Sequence, residues 1–285
     1  MVALVALFLG RFLAPVEGHA QVLEVGGSLG LSYYMGDINP HIPFNQSKFG
    51  FGAIARYYEG TRWAFRLAYS YLPLAGSDEK SGYRPERGLS FKTNVHDVAL
   101  TAEFNFFDYF TGSRRSRISP YIFGGISMLY FNPKAEDGTE LHSILTDVDD
   151  YTVGEDDNGN EKITCSKYDY SKTVISIPFG VGVKYSVNTR IGTSLEWRWH
   201  WTLTDWLDDC HAYYPTYKYG DDYAQYADPT GFAAGANGQN SNMYIQRGNQ
   251  ADNDWFGYLN LTITYKFNLP NGKDCNKKER YNNYK

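Results

Sequence analysis

Two sets of residues in this 285-residue chain have types and spacings that could do chemistry. Ser194, Glu196 and His200 share one face of an alternating run, Ile191 to Trp201. A hydroxyl, a carboxylate and an imidazole can serve a hydrolase as nucleophile, orienting group and base. Nothing else nearby completes such a signature, and the same face would equally line an interior of ion pairs. Asp147, Asp149, Glu155, Asp156, Asp157 and Asn158 offer oxygens suited to Ca²⁺, but their spacing is not that of an EF-hand loop. They read as a solvated loop. With no Gly-rich phosphate cradle and no Cys-x-x-Cys pair, the expectation is no enzyme, no cofactor and no metal.

The elements that carry these residues read as strands. From Trp255 to Phe267 one face is Trp255, Gly257, Leu259, Leu261, Ile263, Tyr265 and Phe267. The opposite face is Phe256, Tyr258, Asn260, Thr262, Thr264 and Lys266. Period-2 alternation with aromatics at the ends of the apolar face and aliphatics in its middle suits a strand that crosses a bilayer. Similar runs begin near Gln21, Phe49, Trp63, Asp97, Tyr121, Ile175 and Ile191, and the run Tyr121 to Phe131 is apolar on both faces. The connections between runs alternate long and short. The expected fold is therefore all-β: an eight-stranded antiparallel transmembrane up-and-down barrel over residues 21–267. Its short turns and both termini are expected in the periplasm, its long loops outside the cell, and the chain in a bacterial outer membrane in contact with lipid.

Composition agrees. Aromatics make up 17% of the residues, with 25 Tyr, and 28 Gly are present. No apolar run is long enough for a spanning helix. A net charge of −5 leaves no basic footprint for nucleic acid. Residues 1–20 read as a signal peptide, from the apolar run Met1 to Leu9 and the small residues around Gly18-His19-Ala20.

A small barrel is filled by its own side chains. The inward positions include Glu24, Asp97, Glu103 and Glu196 against Arg56, Arg66, Lys184, Arg198 and Lys266. They are expected to form paired networks that close the lumen. Three cysteines, an odd number, leave one thiol over. Cys165 and Cys210 lie in loops on the same side by the strand count and are expected to form an intrachain disulfide. Cys275 lies beyond the last strand in a polar tail, residues 268–285. Its neighbours Lys273, Lys277, Lys278 and Arg280 favour the thiolate. The tail is expected to dock a partner, with Cys275 in an intermolecular disulfide; a frayed tail with an incidental thiol is the alternative.

The N-terminal half carries a resemblance. Tyr33, Tyr34, Gly36, Asp37 and Asn39 make a Tyr-Tyr-x-Gly-Asp-x-Asn stretch; Trp63 and Arg66 follow as Trp-x-x-Arg, and Gly76 and Asp78 as Gly-x-Asp. This order resembles the PorG-like barrels of the type IX secretion system of Bacteroidota. The resemblance implies a structural, non-enzymatic role: anchoring a periplasmic ring of a lipoprotein and a soluble partner to the outer membrane. It implies protein transport and, in some species, gliding motility. A surface-binding or adhesion barrel working through its long outer loops is the alternative, and a small outer-membrane enzyme a third reading.

Overall fold

The structure is a computed structural model that describes residues 21–113, 115–155, 161–165, 169–215, 224–233 and 245–268. The proposed leader and the tail beyond Asn268, with Cys275, Lys273, Lys277, Lys278 and Arg280, lie outside the described residues. The strands are β1 (Gln21–Met35), β2 (Lys48–Glu59), β3 (Trp63–Ser77), β4 (Ser90–Asn105), β5 (Ile118–Tyr130), β6 (Tyr151–Glu155), β7 (Glu161–Cys165), β8 (Thr173–Ser186), β9 (Ile191–Thr202) and β10 (Trp255–Asn268). Two single-turn helices, α1 (Asp78–Ser81) and α2 (Ala224–Ala227), sit in the long loops.

Eight strands close into a barrel in which every neighbour is antiparallel, and β1 pairs with both β2 and β10. Closure is what hydrocarbon demands, because an open sheet edge would leave unpaired amides with no water to satisfy them. The strands β6 and β7 form a separate hairpin in the loop between β5 and β8.

The alternation sorts as its pattern requires. On β10, Leu261 is 53% exposed and its neighbour Thr262 3%. Leu29, Leu67, Leu100, Ile126, Val181, Leu195 and Ile263 join Leu261 on the outer wall. Such an apolar belt around a closed barrel is a lipid-facing surface. For β5, apolar on both faces, the register decides: Ile122, Ile126, Met128 and Tyr130 face out, while Tyr121, Phe123 and Leu129 are buried inside.

Two strands run further than their sequence pattern suggests. The stretch from Leu74 to Gly88 reads as a polar loop, yet β3 continues to Ser77 and β4 begins at Ser90. The polarity of the faces inverts there. Below this level β4 turns Asp97, Thr101 and Glu103 inward and Val98 and Leu100 outward. Above it Phe91 and Val95 are buried inside, and Lys92 and Asn94 are exposed. The inversion marks where the outer wall leaves lipid for water and the interior passes from ion pairs to an apolar core.

Both mouths are closed. At the short-turn end the connection from β4 to β5 folds back. Tyr109 packs with Val22, Tyr58 and Ala64, and Thr111 hydrogen-bonds Glu24. Gly112 takes φ +101°, and a Cβ there would press on the Thr189 carbonyl. At the long-loop end Tyr34, Leu72, Phe91, Phe131, Leu141, Trp206, Leu207 and Phe256 form a continuous apolar core between the barrel rim and the loops.

Leu261→Arg should lower the yield of folded barrel sharply, since Arg on the lipid face costs about 2–4 kcal/mol at mid-bilayer. Leu261→Met should assemble normally. Heat-modifiable gel migration of membrane fractions reads both; equal folded fractions for the two variants would remove Leu261 from the lipid.

Candidate functional site: a charged lumen under an acidic cap

The lumen charges, drawn from six different strands, meet in one chain of contacts. Arg56 reaches Glu24 (3.3 Å) and Glu103 (2.9 Å). Arg66 bridges Glu103 (3.2 Å) and Glu196. Arg198 joins Glu196 (2.8 Å) to Asp97 (3.5 Å). Lys184 completes the set at 2.5 Å from Glu103, with Asn105 Oδ1 at 2.9 Å. These are four carboxylates and four cations, all buried. Lys266 donates instead to the Thr111 carbonyl (2.8 Å), inside the plug. Tyr121 and Tyr58 donate to Glu196 (2.8 Å) and Glu24 (3.4 Å), and the faces of Tyr121 and Phe123 lie 4.5 Å from Lys184 and 4.6 Å from Arg66. Opposite charges with charge-assisted hydrogen bonds can remain ionised away from water; a lone member could not.

The Ser194, Glu196 and His200 face is part of this interior and does not assemble as a catalytic trio. Six residues of strand separate Ser194 from His200 by about 20 Å. The His200 ring stacks on Phe256 at 4.3 Å, with Nδ1 3.2 Å from the Ser176 hydroxyl. Glu196 is occupied by Arg66 and Arg198.

Above the lumen the long loops bring together a second polar group. The Tyr34 hydroxyl lies 2.5 Å from Asp208 Oδ2 and 2.7 Å from Asp254 Oδ1. A hydroxyl carries one proton, so it can donate to only one of them; the other contact requires a protonated carboxyl. Burial first, then neighbouring carboxylates, raises Asp208 and Asp254 well above the usual carboxylate range. The other oxygens of this pair accept backbone N–H groups, Cys210 N at Asp208 and Leu207 N at Asp254, both 2.9 Å. Burial likewise moves Asp37 up to about 6 and Asp205 to about 10.

Two arginines tie the loops around this group. Arg87 grips Asp78 at 2.6 and 3.1 Å and donates to the carbonyls of Arg247 (2.5 Å) and Asp37 (2.9 Å). Arg247 contacts Asp147 (3.3 Å) and the Asp209 carbonyl. Asp147 also accepts from His211 N and Ala212 N, each at 2.9 Å. The acidic run expected to be solvated is thus divided. Asp147 is a buried cap residue, Asp149 pairs with His211 at 3.3 Å, and Glu155 is exposed. Asp156, Asp157 and Asn158 lie outside the described residues.

The motif quoted above accounts for how the first loop enters the cap. Tyr34 supplies the shared hydroxyl. Gly36 sits where a Cβ would strike both that hydroxyl and Asp254. Asp37 accepts Asn249 N (2.7 Å), and Asn39 Nδ2 donates to the carbonyls of Tyr34 (3.1 Å) and Ile42 (2.9 Å). Tyr33 faces outward but is covered by Phe44, and its hydroxyl accepts from Trp197 Nε1 at 2.8 Å. Asp78, from the Gly-x-Asp element, holds Arg87.

The disulfide expectation does not survive as drawn. Cys210 is a free, buried thiol that donates to the Arg247 carbonyl at 3.2 Å, with Arg87 Nη1 3.8 Å from its sulfur. The cross-link is unnecessary for closure there, because arginine–carbonyl and carboxylate–amide bonds already join the loops. Of Cys165 only the backbone is described, opposite Tyr151 in the hairpin.

Sequence reasoning missed Arg87, Arg247, Asp205, Asp208 and Asp254. Charged residues in long Gly- and Asn-rich segments look solvated, and nothing in their spacing says that loops far apart in sequence converge. The doublet Asp208-Asp209 between apolar residues was the one available signal.

Comparison with known proteins gives one family model and several distant solved structures. Residues 3–140, just under half of the chain, match the family model described as a domain of unknown function, DUF6089. The matched span contains the Tyr33 to Asn39 motif, Arg56, Arg66, Asp78 and Arg87. No curated protein matches the chain. Among solved structures it is similar to Ail, the attachment invasion locus protein of Yersinia pestis, at 9% identity, covering 88% of this chain and 100% of that one with a TM-score of 0.38. Neisserial surface protein A is similar at 12% identity, 87% and 97% coverage and TM-score 0.38. A major outer membrane protein of Thermus thermophilus is similar at 12% identity, 87% and 100% coverage and TM-score 0.37. At this distance the likenesses carry no argument, and the fold rests on the strand pairing itself.

Glu103→Gln would strand Arg56, Arg66 and Lys184 around a neutral amide. Removing one partner of a buried pair costs about 3–5 kcal/mol, so urea unfolding in micelles should show a large fall in midpoint; a midpoint unchanged from wild type would make the network dispensable.

The cap should loosen as pH rises. Its raised carboxyls bind protons that the unfolded chain has released, so their contribution is complete below the ordinary value of 3.8. It is lost as pH climbs through about 6 for Asp37 and on toward about 10 for Asp205. Amide exchange at Leu207 and Cys210, corrected for intrinsic rate, should show less protection at about pH 8 than at about pH 5. Asp254→Asn should flatten that slope, and equal protection at the two pH values in the wild type would mean that the cluster is already fully ionised.

Proposed function

We propose that this chain is a non-enzymatic outer-membrane barrel that anchors a periplasmic ring, made of a lipoprotein and a soluble partner, for type IX protein secretion. The observation that carries the reading is the filled interior. Ion pairs occupy the lumen, the Tyr109 and Thr111 segment closes one mouth and the loop core the other. A body of this kind offers no route for solute through its centre, which leaves its wall and its two ends as working surfaces. The resemblance of the Tyr33, Tyr34, Gly36, Asp37 and Asn39 stretch to PorG-like barrels selects the anchoring role. It gains support because Tyr34, Gly36, Asp37, Asn39 and Asp78 share one structural task, closing the cap. On this reading the termini and short turns face the periplasm, where the ring would dock, and the tail with Cys275 is the segment offered to it.

A surface-binding barrel is the second reading. It is favoured by the order of the outer loops, where backbone bridges join Val148 to Tyr213 and Tyr213 to Gln246 well beyond the barrel rim.

The test is affinity purification of the tagged protein from detergent-solubilised envelopes of its own cells. Anchoring predicts co-purification of a lipoprotein and a soluble periplasmic protein in fixed ratio, reduced by removing residues 269–285. Recovery of the barrel alone, with secretion intact in a deletion strain, would turn the case toward the outer loops.

A further inference from the structure

Where the wall leaves the lipid, β3, β4 and β5 present an aromatic cross-strand row on their outer face, with polar residues above it. The row is Tyr71, His96 and Tyr130, aligned by register. The His96 ring lies 5.3 Å from Tyr71 and 6.1 Å from Tyr130, and its Nδ1 is 2.9 Å from the Tyr69 hydroxyl. Below this aromatic row come Val98, Leu100, Ile126 and Met128, all exposed on the apolar belt. Above it stands Asn94 and then Lys92, which pairs with Lys134 through two backbone hydrogen bonds of 2.8 Å each.

Two features of this corner call for a ligand. Lys92 on β4 and Lys134 in the segment after β5 are like charges placed directly opposite across an isolated bridge, an arrangement that is destabilising unless an anion lies between them. Glu140 meets Lys134 at 3.6 Å but is shared with Lys172 at 3.5 Å. Among the described residues no carboxylate pairs with Lys92. The second feature is a cleft of about 290 Å³ at this place, lined by Lys92, Asn94, His96, Tyr130, Lys134 and Glu136. Glu136 is its one carboxylate against two lysines and a histidine. An ordinary snorkelling lysine needs no cleft.

We propose that this cleft binds the phosphate headgroup of an anionic lipid in the leaflet at the long-loop end of the barrel. Lys92 and Lys134 contact the phosphate, Asn94 and His96 line its lower side, and the acyl chains run down the wall over Val98, Leu100 and Met128. The height fits: aromatic side chains belong at the headgroup level, and the phosphate lies just outside the hydrocarbon. The inference needs only the lipid-facing wall and draws nothing from ring anchoring, so either reading can fail alone.

Purified barrel reconstituted in phosphatidylcholine vesicles containing phosphatidylglycerol, then released in mild detergent for native mass spectrometry, should retain phosphatidylglycerol in preference to phosphatidylcholine. Lys92→Gln and Lys134→Gln should each lower that retention about fivefold, the effect of one basic residue at an anionic surface. Lys80→Gln, an exposed lysine in α1 at the same end, should leave it unchanged. Heat-modifiable migration confirms that each variant is folded. Equal retention of both lipids, or an equal loss with Lys80→Gln, would overturn the site in favour of diffuse surface charge. A large excess of inorganic phosphate should not displace the lipid; if it does, the cleft takes the free ion and the lipid assignment is wrong.

Discussion

Backbone amides in hydrocarbon have no water to turn to, and the rest of this molecule follows from that constraint. It requires β1 to meet β10, which closes the sheet. Closure at eight strands leaves an interior just wide enough for side chains. Polar residues on the inward positions must then satisfy one another. The chain meets this with a run of alternating charge, Glu24, Arg56, Glu103, Arg66, Glu196, Arg198 and Asp97, in which each arginine touches two carboxylates. Lys184 adds the fourth cation at Glu103, and aromatic faces cover its flank.

The same constraint ends at the membrane boundary, and the pattern of the strands changes there. Once the outer wall is in water, nothing requires it to be apolar, and the interior can hold an ordinary hydrophobic core. Strands β3 and β4 cross that boundary without a break, so an inward Asp97 is followed up the strand by inward Val95 and Phe91. The long loops pack on this upper core. The cap is a small water-soluble body built on an extension of the membrane barrel, and this explains how a group of buried carboxyls can exist at its base.

That group is costly to hold. Asp37, Asp205, Asp208 and Asp254 are brought close with their charges unfavourably placed, and the cap compensates with protons, backbone N–H donors and the paired arginines Arg87 and Arg247. Each arginine binds backbone carbonyls from loops distant in sequence, which makes them cross-links as much as counter-ions. The free thiol of Cys210 lies among these bonds and donates to the Arg247 carbonyl.

Period-2 alternation alone determined the barrel, the facing of Leu261 and Thr262, and the membership of the lumen network except for Lys266, which bonds the plug instead. A lipid wall and a polar lumen impose opposite chemistry on successive residues, so each side chain reports its own side. That signal vanished where both faces were apolar, as in β5, and it misled where polarity inverted, so the end of β3 reads as loop and the start of β4 carries no strand signal. Tertiary structure alone decided the partners within the lumen, since Arg66 could have met any of four carboxylates. It alone decided the cap too: Arg87, Asp208, Arg247 and Asp254 come together through loop closure. Loops carry no periodicity, and the contacts that order them join residues whose separation in sequence says nothing of their distance in space.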